Sequence, residues 1–83
     1  MPIKVEKKDG RLEDFDRNKI SGSVVKSGVS PEEAESIAIQ VETWVQGAAL
    51  DGVVQASDIR TKVLELLQSI DPEATISFKT YKK

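Results

Sequence analysis

The chain has 83 residues, a net charge of −2, and neither cysteine nor histidine. That length makes one domain, 1–83, with no room for a second that carries chemistry. The missing cysteines exclude disulfides and thiolate metal sites, and the missing histidines remove the usual general base and the commonest zinc ligand, so the expectation is a protein that is not an enzyme.

The opening, Met1 to Lys8, has only Ile3 and Val5 as large apolar residues after the initiator, too few for a secretory h-region. No apolar run reaches membrane length. These features predict a cytoplasmic protein without membrane association. Next, residues 2–15 read as a β-hairpin, with Ile3 and Val5 alternating with Lys4 and Glu6 before an Asp9-Gly10 turn. A two-residue loop would put Phe15 on the face opposite Ile3 and Val5. A three-residue loop, Lys8-Asp9-Gly10 with Gly10 left-handed, pairs Lys7 with Arg11 and gathers Ile3, Val5, Glu13 and Phe15 on one face. The second register is favoured, because it gives the hairpin an apolar side to pack on helices.

Four helices follow. The first runs from about Arg17 to Ser27, capped by Asp16, stopped near Gly28, and buried along Ile20 and Val24. In the second, Ser30 is the N-cap, Pro31 takes the first helical position and Glu33 completes a capping box. Ala34, Ile37, Ala38, Val41, Trp44, Val45 and Ala48 recur behind it at helical spacing, and Gly47 and Gly52 bracket its end. Trp44 is read as core. Val53 and Val54 are candidates for a short third strand. Ser57 is expected to cap a third helix reaching about Ile70, with Ile59, Val63, Leu66, Leu67 and Ile70 on one face. Asp71-Pro72 opens a fourth, with Ala74, Phe78 and Tyr81 along its stripe. The fold class is α+β: an N-terminal hairpin, or small three-stranded mixed sheet, covering a four-helix bundle.

Charge is unevenly spread. Residues 1–26 sum to +2, residues 27–76 to −7, and the last seven, with Lys79, Lys82 and Lys83, to +3. The two basic ends either fold into one positive site or form a solvated surface. The acidic total repels phosphate beyond any local patch, so nucleic acid is not expected as a partner.

No Walker loop, GxGxxG or GxSxG is present. Glu32, Glu33 and Glu35 open a helix, where the macrodipole favours acids. The run from Val5 to Ile20 is different. Its hairpin carries adjacent lysines and leads into a helix start with Lys19 one turn inside, a geometry that can gather cations around a polyphosphate while Val5 and Ile20 offer an apolar slot. An ordinary charged hairpin is the other reading.

Within that run, Val5, Lys7, Lys8, Asp9, Gly10, Arg11, Glu13, Phe15, Asp16, Lys19 and Ile20 resemble in register the opening motif of the ATP-cone family, V-x-K-R-D-G-R-x-E-x-F-D-x-x-K-I. This is the regulatory domain of many ribonucleotide reductases and of the repressor of their genes. The likeness continues through Ser57-Asp58-Ile59, Asp71-Pro72-Glu73-Ala74 and Phe78-Lys79-Thr80-Tyr81-Lys82, and so spans nearly the whole chain.

The resemblance implies a four-helix bundle capped by a small mixed sheet. It implies a non-catalytic domain that binds ATP or dATP as an allosteric effector, with magnesium carried by the nucleotide. Val5 and Ile20 would bracket the adenine, Lys7, Lys8 and Lys19 would engage phosphates, and Glu13 and Asp16 would contact base or sugar. Equally, Val5 and Ile20 can be core, Glu13 a cross-strand partner of a lysine, and Asp16 only a cap. Lys8 stands where the family usually has arginine. Ala56 and Arg60 stand where some cones have threonine and histidine, and by the resemblance Arg60 would substitute as a phosphate partner. The implied partners are a ribonucleotide reductase subunit, a transcription regulator, or further copies of the chain as a homo-oligomer. The alternative function is a degenerate cone kept as an interaction or oligomerisation module without nucleotide binding.

Overall fold

The bend at Asp9-Gly10 decides the register of the sheet. Gly10 has φ +88°, a conformation glycine adopts without the Cβ clash other residues meet. Its N–H donates to the Lys7 carbonyl at 2.9 Å, and the Lys7 N–H donates to the Arg11 carbonyl at 2.8 Å. The loop is therefore the three-residue one. Strands β1 (Lys4–Glu6) and β2 (Leu12–Asp14) pair antiparallel, with Val5 opposite Glu13. Ile3, Val5 and Phe15 pack on the core, while Leu12, alternating to the other face, is 56% exposed. β3 (Val53–Gln55) pairs in parallel with the other edge of β1, giving the order β2-β1-β3. The helices between β1 and β3 supply the crossover a parallel pair requires. The structure, a computed structural model, describes the backbone of residues 3–81 and the side chains of residues 3–77. The expected packing of Phe78 and Tyr81, and the C-terminal lysines 79, 82 and 83, lie outside the described side chains.

Each helix starts where a side chain can satisfy its free amides. α1 (Arg17–Lys26) begins at Asp16, whose Oδ1 accepts from the Asn18 N–H at 2.9 Å. α2 (Pro31–Ala48) begins at Ser30, whose hydroxyl oxygen accepts from the Glu33 N–H at 3.3 Å while the hydroxyl faces Glu33 Oε1 at 3.4 Å. α4 (Pro72–Tyr81) begins after Asp71, whose Oδ1 accepts from the Glu73 and Ala74 N–H groups at 3.1 and 3.2 Å.

α3 (Ala56–Ile70) departs from the expected start. Ser57 lies inside it, and the N-cap is Gln55, which makes no side-chain capping bond. β3 runs directly into α3, leaving no loop residue to cap it, and the Gln55 amide instead donates to Glu6 Oε1 across β1 at 2.7 Å. Ile70 also departs, being 39% exposed. It is the last residue of α3, and the chain turns at Asp71 before that position is covered.

The core centres on α2, whose Ala34, Ile37, Ala38, Val41 and Val45 are buried, with Val24 of α1 and Ile59, Val63 and Leu67 of α3 against them. Trp44 is half-buried on this core, with the Lys62 ammonium 5.9 Å from its ring centroid. Arg17 joins α1 to α2, its Nη1 donating to Glu42 Oε1 at 3.1 Å and its Nε lying 3.3 Å from Glu35 Oε2. Among the described residues no helix is long and apolar enough to cross a membrane.

Candidate functional site

The inward face of the hairpin is apolar at Ile3, Val5 and Phe15 but carries Glu13 beside them and Lys7 beyond them. Charged groups at those positions keep the hairpin end from closing on the bundle. An open cleft of about 900 Å³ lies there, bounded by the hairpin, the first turns of α1 and the start of α3. Val5, Lys7, Lys8, Glu13, Asp16, Lys19, Ile20 and Arg60 all line it. Helical spacing accounts for two walls: Asp16, Lys19, Ile20 and Ser23 follow one face of α1, and Ala56, Ile59, Arg60 and Val63 one face of α3.

The lysines before and after the bend converge. Lys7 Nζ lies 3.8 Å and Lys19 Nζ 4.0 Å from the same Oε1 of Glu13, so the two ammonium groups are no more than about 8 Å apart. Lys8 is exposed and forms no ion pair among the described residues. Asp16 is occupied as the α1 cap. Val5 and Ile20 are half-buried, each touching the core and each facing the cleft. The core and slot readings of those two residues are thus compatible. α3 presents its first turn to the cleft, and its N-cap Gln55 makes no side-chain capping bond, so the positive end of the helix dipole faces the cleft. Among the described residues, the basic lining side chains Lys7, Lys8, Arg11, Lys19 and Arg60 are matched by Glu6, Asp9, Glu13, Asp14 and Asp16. Beside the cleft, the Lys4 ammonium hydrogen-bonds Asp14. That bond and the attached charge, with a smaller contribution from Lys19, hold the Asp14 carboxyl below its ordinary pKa.

Phe15, Ser23, Gln55, Ser57 and Thr61 also line the cleft and were not among the residues expected there. Ser57 and Thr61 lie one turn apart and are tied by the Thr61 hydroxyl donating to the Ser57 carbonyl at 3.0 Å. The helical spacing of Ser57, Arg60 and Thr61 was a usable signal once Arg60 was a candidate.

A mixed sheet over four helices, with a cleft of mixed charge and an apolar slot between them, defines a small α+β domain with a candidate ligand site. The chain belongs to the ATP cone domain family, whose model matches residues 3–80. It is also similar to transcriptional repressors NrdR. That of Dictyoglomus turgidum is 36% identical over 81 residues, which is 93% of this chain and 53% of the repressor. Those of Petrotoga mobilis and Syntrophus aciditrophicus are 33% identical over 85 residues and 37% over 78, covering 98% and 89% of this chain and 56% and 48% of the repressors. The chain spans about half the length of the curated relatives it matches. Relatives that are transcriptional repressors lend no support to the expectation that nucleic acid is not a partner.

Proposed function

We propose that the chain is a non-catalytic sensor that binds ATP or dATP, with magnesium carried by the nucleotide, in the cleft between hairpin and bundle. The observation that carries this reading is the meeting of Lys7 and Lys19 at one carboxylate beside the Val5–Ile20 slot. A volume of about 900 Å³ suits a nucleotide, since small-molecule sites run from roughly 300 to 1,000 Å³. Lys7, Lys8, Lys19 and Arg60 would meet the phosphates, with the uncapped start of α3 behind them. Val5 and Ile20 would hold the base, and Glu13 would accept from base or sugar donors. Asp16 would act chiefly by fixing the first turn of α1, from which Lys19 reaches in. In such a cytoplasmic sensor, binding has consequences only by favouring one state of an assembly over another, so the regulated partner is a reductase subunit, a transcription regulator or further copies of the chain.

Calorimetric titration with ATP and with dATP at millimolar concentration, magnesium present, tests this reading. Heat of binding is expected for at least one, and Lys19→Ala is expected to weaken it about five- to tenfold while leaving the unfolding midpoint unchanged. No heat with either nucleotide removes the proposal.

The matched charges of the lining and the apolar Ala56 favour a second reading, a cone kept for protein interaction alone. Sedimentation with and without ATP separates the two. Self-association indifferent to nucleotide supports the scaffold; association that follows nucleotide supports the sensor.

A further inference from the structure

Glu13 occupies an unusual place. It is the direct cross-strand partner of Val5, so it stands beside the apolar slot, and its Oε1 is also the meeting point of Lys7 and Lys19. Its side chain is 38% exposed, enough to move. The lysines that would receive phosphates therefore already lie within about 4 Å of an anion belonging to the protein.

From this position we infer that Glu13 is a selectivity residue, an internal anion that makes the cleft favour nucleoside polyphosphates over bare polyphosphate. The inference rests on the nucleotide reading above. An inorganic chain of phosphates must separate Glu13 from both lysines and then lies next to a carboxylate to which it brings no donor. A nucleotide displaces the same ion pairs, but its sugar hydroxyls and exocyclic amine give Glu13 new hydrogen bonds at the slot. The penalty is common to both ligands; the compensation belongs to one. Selectivity of this kind needs no contact that rejects the wrong ligand sterically, because an unpaired charge beside it does so.

The experiment compares the 83-residue chain with Glu13→Gln, using ATP and inorganic tripolyphosphate at matched magnesium and ionic strength. Glutamine keeps the size and hydrogen-bonding shape without the charge, and Glu13→Ala serves as a second variant that removes the group altogether. Trp44 emission and circular dichroism report that each variant is folded. In both variants tripolyphosphate is expected to bind about three- to tenfold more tightly than in the parent chain, the size of losing two partly exposed ion pairs. The preference for ATP narrows accordingly. If ATP binds but tripolyphosphate gains nothing in folded variants, the inference about Glu13 is wrong and the nucleotide site stands. If ATP binds neither the parent nor the variants, both fall.

Discussion

The bundle and the cleft wall are built on opposite terms. Around α2 the side chains of Ile37, Val41, Val45 and Leu67 are wholly buried and apolar, so the helices hold each other by excluded water. At the hairpin end, Lys7, Glu13 and Lys19 meet in partly exposed ion pairs that contribute little to folding. The difference teaches that the residues that stabilise the fold and those proposed to recognise a nucleotide are separate sets joined at Val5, Phe15 and Ile20, which pack on the core and line the cleft. A substitution on one side should leave the other nearly intact.

The largest expected break of that division comes from Leu67→Ala. It removes a fully buried side chain and should lower stability by about 2–5 kcal/mol in urea unfolding, a large part of what a domain of this size has. Any loss of nucleotide affinity should then follow the unfolded fraction alone. Ser30→Ala takes away the α2 cap, which is not among the cleft's lining residues, and should cost about 1 kcal/mol by the same measurement with affinity unchanged. Gly10→Ala tests the junction. Nothing lies within 4 Å of an added Cβ, so the cost is the positive φ alone, about 1 kcal/mol, and any extra loss of affinity reports a displaced lysine loop. The smallest effect belongs to Asp14. Its lowered pKa means the Lys4 partnership stabilises the fold above the ordinary carboxylate pKa and is lost as pH falls through the lowered value. Asp14→Asn should flatten the acid limb of a stability–pH profile slightly, and salt should do the same to the parent chain.

Much of this architecture was legible residue by residue. Gly10 and the alternation of Ile3, Val5 and Phe15 selected one hairpin register, because the other would strand Phe15 on the outer face. Asp16, Ser30 and Asp71 marked three helix starts through chemistry that only an N-terminal amide needs. The start of α3 was misread because Ser57 has the side chain of a cap, whereas the strand before it leaves no room for one. Ile70 was misread because periodicity assigns a face without saying where the neighbouring helix stops covering it. In the cleft, Glu13 was visible as a partner for a lysine from strand pairing. Its second lysine was not, since Lys19 reaches it only through the packing of α1 against the sheet. The presence of Arg60 in the same lining likewise depends on β3 lying parallel to β1, a long-range pairing that local spacing does not encode.

The cleft, rather than the bundle, is where the chain is proposed to meet a nucleotide. Amide chemical shifts of the labelled chain, followed during titration with ATP and magnesium, test this directly. Changes should concentrate in residues 5–20 and at the start of α3, Ala56 to Arg60, and leave the middle of α2 still. Saturating ATP that moves no amide in those segments, or that moves α2 instead, would contradict it.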